Sequence, residues 1–316
     1  MNLLVTGAAG HVATLALPGL AGRHPLRLAD LRAPASLPEG ANFHGIDLLN
    51  ASDADFNALF AGVEVVLHSA YVPSGQGDVY SAEPPQIDRF EAEFANIRLA
   101  QRVYRAALDA GVRRVVMVSS SHAADWYEHY EVHRRERDMV YPTDLPLADN
   151  FYGWAKASYE LLGHPYACGT FGRSLEVVML RIGSPYSIQP ARYEPTAAPV
   201  ASTLPRPAGA AAFKRALGAW LSDRDCAQLC RCAVEASDIV GKNEVPWVVA
   251  YGISDNTRAF WSLASARRQL GYRPQDDSEL AYAGDVHRLL VDGGAGAAGP
   301  LGDGDCFDNL NPRTHP

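Results

Sequence analysis

The chain has 316 residues, of which 47% are hydrophobic and 20% charged, and it carries a formal net charge of −8. This is the makeup of an ordinary globule with one large core, or one core and a smaller lobe, and it excludes a disordered or fibrous protein. The charge is spread along the chain and no Lys/Arg block exceeds Arg134-Arg135 with Arg137, so nucleic acid and anionic membrane have no electrostatic footprint and the expected partner is a small molecule.

Six short apolar segments, at 3–5, 26–29, 63–68, 115–119, 177–180 and 247–250, read as strands. Helical spacing follows most of them, over 12–20, 53–60, 92–110, 152–166, 223–236 and 258–270. The alternation predicts βαβ units and hence an α/β fold, a Rossmann-type doubly wound parallel sheet with helices on both faces. Three stretches, 73–85, 123–149 and 185–212, break the rhythm with Pro, Tyr or mixed charge. They read as long loops, which in a compact domain are functional lids or else disordered. The first strand begins so near the N-terminus that no secretory peptide is expected, and no apolar run approaches the length of a bilayer span. Cysteines at 168, 226, 230, 232 and 306 are odd in number, which points to reduced thiols and a cytoplasmic location. The spacing of Cys226, Cys230 and Cys232 fits no common zinc pattern, so they read as packed helix cysteines and no metal is expected.

The first motif stands where the first strand ends. In Thr6-Gly7-Ala8-Ala9-Gly10-His11-Val12-Ala13, Gly7 takes the tight turn, Gly10 lets backbone approach a pyrophosphate, and Ala13 lets a helix pack close to the strand. The helix that starts there offers unpaired N–H groups and a positive dipole end to phosphate oxygens. Asp30 closes the next strand, where a carboxylate accepts from the adenosine ribose hydroxyls and repels a 2′-phosphate, so NAD is expected rather than NADP. Arg32 argues the other way, since a guanidinium can pair with that phosphate. Asp47, in Gly45-Ile46-Asp47-Leu48, stands at a further strand end within reach of the adenine amino group.

The second constellation carries the chemistry. Tyr152-Gly153-Trp154-Ala155-Lys156 places a phenol and an ammonium four residues apart on one helix face. A free phenol has a pKa near 10, too high for a base at neutral pH, and a close cation favours its ionised form. Lys156 supplies that cation. The Ser119-Ser120-Ser121-His122 strand end supplies a hydroxyl that can donate to the reacting oxygen.

Taken together, Thr6-Gly7-x-x-Gly10, Asp30, Asp47, the Ser119 to Ser121 strand end, Asn96 in the preceding helix and Tyr152-x-x-x-Lys156 resemble the extended short-chain dehydrogenase/reductase superfamily. Within it the chain is similar to uronate dehydrogenases at Ser119-Ser120-x-His122, Leu180-Arg181-Ile182-Gly183-Ser184, Arg215-x-Leu217-x-x-Trp220-x-Ser222, Tyr251-Gly252-x-Ser254, Leu270-Gly271-Tyr272-x-Pro274 and Phe307-x-Asn309. The resemblance implies oxidation of a hexuronic acid at its anomeric carbon, giving a lactone and NADH. It makes Ser120, Tyr152 and Lys156 catalytic, with Tyr152 removing the hydroxyl proton. It assigns to NAD the turn residues Gly7, Ala9, Gly10, His11 and Val12, then Asp30, Leu31, Asp47 and Leu48, then His68, Ser69 and Ala70, with Tyr152, Lys156 and Ile182. On the substrate side, Arg215 would clamp the carboxylate as a bidentate donor, while Ser121, His122 and Ser184 would meet sugar oxygens. Residues 1–184 are then mainly the NAD-binding domain, 185–292 a small C-terminal substrate-binding lobe with a returning strand near 246–251, and 293–316 a flexible tail. Homo-oligomerisation is expected through the helices containing Asn96 and Tyr152.

The departures from that pattern surround the substrate. Ser121 stands where the family has Asn, Tyr71-Val72-Pro73 replaces a serine-bearing segment, and the loops beginning at Pro73, Ala123 and Pro185 are longer. Arg192, inside the third loop, is a rival anion clamp. Longer loops also suit a nucleotide-sugar epimerase or dehydratase, which keeps NAD bound and returns the hydride. A non-catalytic NAD-sensing regulator is disfavoured, because Tyr152 and Lys156 are both present.

Overall fold

The computed structural model describes residues 1–73, 86–194 and 209–293. Seven parallel strands form one sheet: β1 (Leu3–Thr6), β2 (Leu26–Asp30), β3 (Asn42–Gly45), β4 (Val65–His68), β5 (Arg114–Ser120), β6 (Glu176–Ile182) and β7 (Trp247–Gly252), in the order β3-β2-β1-β4-β5-β6-β7. The helices are α1 (His11–Leu20), α2 (Asp53–Ala58), α3 (Phe90–Asp109), the short α4 (Asp125–Tyr127), α5 (Phe151–Ala167), α6 (Gly209–Ala219), α7 (Asp223–Glu235), and the one-turn α8 (Ser278–Ala281) and α9 (Ala283–Val286). This is the doubly wound Rossmann-type α/β architecture expected from the sequence.

Successive strand residues point to opposite faces, so each inner strand must be apolar throughout and feeds two cores. In β5, Val116 and Val118 pack with α1 and α7 through Ala13, Leu17, Leu229 and Cys230. Val115 and Met117 pack with α3 and α5 through Leu99, Val103, Ala155 and Tyr159. Each fully buried Val or Leu contributes roughly 1.5–3 kcal/mol relative to exposure. A third, smaller cluster of Ile188, Phe213, Leu217, Leu289 and Leu290 joins α6 to the last turns of the described chain. Cys226 and Cys230 are buried, Cys232 half-buried and Cys168 exposed, all as free thiols.

The register aligns the chemistry at one edge. Thr6 stands opposite Ala29 and His68, and Ser120 opposite Ile182, so the Gly7 turn, Asp30, Ser69 and the serine run all leave the sheet on the same side. Strand order reverses at β1, which has β2 on one flank and β4 on the other. A crevice outside the strand ends at such a switch point is where doubly wound sheets bind ligands.

Three expectations are corrected. The stretch 258–270 is helical only in its last turns, and Phe260 and Trp261 run extended beside Val140, with Val140 N–H donating to the Phe260 carbonyl at 2.8 Å and Ser262 N–H to the Val140 carbonyl at 3.0 Å. Its apolar residues at helical spacing are instead pinned to a neighbouring segment. The edge strand β3, read only as a strand end before Asp47, has bounds that pattern reading misses because it is four residues long and nowhere fully buried. Helix α6 begins inside the expected 185–212 loop, and the 123–149 segment contains α4 and a wide turn over Glu128–Val132. Most of the expected 73–85 loop, residues 195–208 of the third loop, and the tail from 294 with Phe307 and Asn309 lie outside the described residues.

Candidate active site

A cleft of about 680 Å³ opens at the C-terminal strand edge. Its nucleotide end is built by the Gly7 turn. Gly7 has φ +70°, and a Cβ there would come within 2.4 Å of the Ala70 nitrogen; only glycine lets the turn pass the chain leaving β4. Gly10 then opens α1 with no side-chain cap, so the helix presents its unpaired N–H groups to the cleft, as a pyrophosphate requires. Asp30 reaches the same space from β2, its Oδ2 accepting from Ala9 N–H at 3.0 Å. Asp47 and Leu48 follow β3 along the wall. Asp47 braces its own turn by accepting from Leu49 N–H at 3.0 Å and from the Asn50 amide at 2.9 Å. These carboxylates, the open helix end and the glycine cradle fit a nicotinamide dinucleotide.

The reacting end sits where β5 meets α5. Asn150 caps α5 by accepting from Gly153 N–H at 2.8 Å. Gly153 packs so close to the strand end that a Cβ would reach within 2.2 Å of the His122 carbonyl oxygen. That contact brings Tyr152, in the first turn of α5, beside Ser120 and His122. Lys156, one turn on, is 5% exposed, donates to the Val118 carbonyl at 3.2 Å, and lies 5.6 Å from the Tyr152 ring centre. Burial pushes the Tyr152 phenol up to about 12, with the hydrogen bond to Ser120 pulling the other way. Burial lowers the Lys156 ammonium to about 8, against the nearby carboxylates Glu93 and Glu160. A phenol at about 12 is protonated near neutral pH, and positive charge beside it favours the ionised form.

Other predicted residues divide between the lining and its support. His11, Val12, Leu31, Ser69, Ala70, Ile182, Ser121, His122, Ser184 and Arg215 all line the cleft. Ala9 acts through its bond to Asp30. His68 is buried behind the wall, Nδ1 at 2.7 Å from the Thr6 hydroxyl. Burial, with the Lys156 charge adding to it, lowers the His68 imidazole to about 3, so it is neutral at physiological pH.

Sequence reasoning passed over three groups. Tyr71 stands edge-on to the Tyr152 ring at 5.4 Å between centres and donates its hydroxyl to the buried Glu93 at 2.6 Å. Tyr186 stacks on His11 with centres 4.3 Å apart and planes 5° off parallel, beside the His11 Nε2 contact to the Pro185 oxygen at 2.5 Å. Glu128 binds Arg215 through Nε at 2.6 Å and Nη2 at 3.2 Å, so the guanidinium already faces a protein carboxylate. The Tyr71 replacement was visible in the sequence, but pairings across 22, 87 and 175 residues carry no local pattern. Below the site, Arg181 forks onto Glu160 at 2.7–3.2 Å, Glu160 also accepts from the Ser119 hydroxyl at 2.7 Å, and Arg181 reaches the Tyr251 hydroxyl at 3.0 Å.

The fold and cleft define a dinucleotide-dependent enzyme framework, and comparison with known proteins narrows it. Residues 7–162 match the sequence profile of an NAD(P)H-binding family. The chain is 31% identical over 297 residues to the NAD-dependent glucose-6-phosphate dehydrogenase of Haloferax volcanii, covering 90% of this chain and 97% of that one. It is also 31% identical over 283 residues to the L-arabinose 1-dehydrogenase (NAD(P)(+)) of the same organism, covering 88% and 97%. A solved structure of a mutated uronate dehydrogenase superposes with a TM-score of 0.64 at 26% identity, covering 91% of this chain and 86% of that one. The chain belongs to the extended short-chain dehydrogenase/reductase superfamily, among its NAD-dependent sugar dehydrogenases. The match places residues 7–162 among proteins that bind a nicotinamide dinucleotide. No helix among the described residues is long and apolar enough to cross a membrane.

Proposed function

We propose that this chain oxidises the anomeric hydroxyl of a free sugar or sugar acid to the lactone with NAD. The observation that carries the reading is the cluster of Ser120, Tyr152 and Lys156 on the buried floor of a cleft whose other end is an uncapped helix behind a glycine turn. The open N-terminus of α1 and the Gly7 and Gly10 backbone would hold the pyrophosphate, Asp30 the adenosine ribose, and Asp47 with Leu48 the adenine side. When bound, NAD supplies the hydride acceptor and a cationic nicotinamide ring. Tyr152 takes the hydroxyl proton, Ser120 steadies the same oxygen, and Lys156 keeps positive charge beside the phenol. The hemiacetal C1 gives up a hydride and its hydroxyl a proton, so one sugar and NAD become one lactone, NADH and a proton.

Ser121, His122 and Ser184 meet the sugar hydroxyls. Asp125 accepts from His122 Nδ1 at 2.9 Å and fixes the orientation of the ring at the cleft wall. Residues 185–292 act as the substrate lobe, organised by the small cluster around Phe213 and Leu217. A cleft of about 680 Å³ that must also take the dinucleotide suits a monosaccharide better than a nucleotide-sugar. Pairing of two copies through α3 and α5 is supported by the exposed, mutually stacked Phe90, Phe94 and Trp154. The testing experiment is NADH formation by the purified protein with NAD and glucose, galactose, arabinose, their uronates, glucose 6-phosphate, and UDP-glucose. Turnover with free sugars supports the reading; silence with all of them and conversion of UDP-glucose without net NADH would replace it with an epimerase.

A further inference from the structure

Arg215 is the guanidinium that reaches the substrate end of the cleft from α6, and its surroundings bear on which sugar enters. Its Nε and Nη2 donate to the two oxygens of Glu128 at 2.6 and 3.2 Å, a side-on fork of the geometry that makes Arg–carboxylate pairs strong. The Glu128 side chain is 2% exposed, whereas that of Arg215 is 24% exposed at the cleft wall. Burial would raise the Glu128 carboxyl, but Arg215, with His133 and His129 beside it, holds it well below the usual range. The carboxylate is therefore ionised.

The segment that presents Glu128 is braced on both sides. One residue on, His129 Nδ1 lies 2.7 Å from Asp149 Oδ2. Three residues back, Asp125 accepts from His122 at 2.9 Å and from the Asn150 amide at 2.9 Å, and that amide also donates to Asp149 at 3.0 Å. On its other side, the Arg215 guanidinium carbon sits 5.6 Å from the Trp261 ring centre. The fork is thus fixed by the same residues that seat His122 and cap the helix of Tyr152.

We propose that Glu128 is a specificity-determining residue: by committing its negative charge to the Arg215 guanidinium at the substrate end of the cleft, it selects a neutral aldose over a sugar bearing a carboxylate or phosphate there. The inference rests on the dehydrogenase reading above. A guanidinium can serve two carboxylates only with those carboxylates close to each other, and like charges at that spacing repel. A sugar hydroxyl carries no charge and meets no such repulsion. The Glu128 charge behind Arg215 thus acts against an anionic substrate by charge rather than by shape.

The test measures kcat/KM with saturating NAD for glucose against glucuronate and glucose 6-phosphate, and for galactose against galacturonate, in the wild type and in Glu128→Gln and Glu128→Asp. The wild type is expected to prefer each neutral sugar by about tenfold or more, the equivalent of one strong charge interaction. Glu128→Gln should shift that ratio toward the acids by about tenfold, mainly through KM, and Glu128→Asp, which keeps the charge, should largely retain the wild-type preference. A purely structural role would lower all sugars alike and leave the ratios unmoved, which overturns the proposal. NADH fluorescence titration shows whether each variant is folded; if Glu128→Gln does not fold, the wild-type ratios decide, and a wild-type preference for glucuronate or glucose 6-phosphate overturns the proposal while the dehydrogenase reading stands. Absence of turnover with every free sugar removes both.

Discussion

The two ends of the cleft are built on different principles. At the end proposed for the nucleotide, short loops leave neighbouring strands and bring Gly7, Gly10 and Asp30 to one wall of the cleft, so three local positions suffice to define it. At the substrate end, side chains from segments far apart in sequence must meet: Tyr71 with Glu93, Glu128 with Arg215, Asp125 with Asn150. The nucleotide end must recognise one invariant molecule, whereas the other end can be rebuilt by changing a few charges without disturbing the sheet. Cofactor class and substrate class are therefore separable properties of this fold.

The largest expected effect falls where the two ends meet. Tyr152→Phe removes the proton acceptor while leaving the ring that packs against Tyr71 and His122. Turnover should fall by about 10²–10⁴-fold, the range for loss of a general acid/base, with NADH affinity within a few-fold of wild type. Steady-state kinetics beside a fluorescence titration separates the two, and surviving activity would mean that the proton goes to another group, with the neighbouring Tyr71 first to be examined.

A second substitution tests whether the sheet beneath carries both ends. Arg181 and Glu160 are each 1% exposed and ion-paired. Removing one member of such a pair leaves an uncompensated buried charge at about 3–5 kcal/mol, so Arg181→Met should lower Tm by roughly 5–15 °C. The loss should be similar with and without NADH, since Arg181 is not among the residues that line the cleft. Recovery of most of the stability in Arg181→Met combined with Glu160→Gln, followed by thermal melts, would identify the unpaired carboxylate as the cause; no recovery would assign the loss to packing against Tyr251.

Acid should act on the cofactor half through His68. Its pKa is depressed in the folded protein to about 3, against about 6.5 when unfolded. The unfolded chain therefore takes up the proton first: this contribution is fully present above pH 6.5 and is lost as pH falls toward 3. Between those limits one extra proton binds on unfolding, a slope of about 1.4 kcal/mol per pH unit. Denaturant unfolding at pH 7, 6, 5 and 4 in the wild type and in His68→Gln should show the variant with the shallower fall; equal slopes would mean that other groups dominate the acid response.

What the sequence made legible follows the same division. The apolar strands, the glycine turn, Asp30 and the Tyr152/Lys156 spacing are all local, and each placed itself in the structure within a residue or two of expectation. The 258–270 stretch misled because Phe260, Trp261, Leu263, Ala266 and Leu270 have helical spacing, and only the distant Val140 holds the first of them extended. Edge strand β3 gave only a strand end before Asp47 and no bounds, because half-exposed Asn42-Phe43-His44-Gly45 needs only one partner strand. Glu128 was invisible because its meaning is Arg215, 87 residues away.

The smallest expected effect asks whether Asp30 belongs to the cofactor or to the turn. Its Oδ2 braces the glycine loop through Ala9 N–H at 3.0 Å and its Oδ1 lies 3.4 Å from Arg32 N–H, so the carboxylate has a structural occupation as well as the ribose-binding place at the strand end. Asp30→Ala removes both, and Asp30→Asn keeps an acceptor for Ala9 while removing the charge. If the charge is what excludes a 2′-phosphate, both variants should lower the NAD-over-NADP ratio of kcat/KM by about tenfold, roughly 1.4 kcal/mol, with Arg32 left as the group that receives the phosphate. If only Asp30→Ala changes the kinetics, and does so equally for NAD and NADP, the carboxylate is a brace for the turn. The nucleotide end would then draw its selectivity from shape, as little dependent on a single charge as the substrate end is dependent on one.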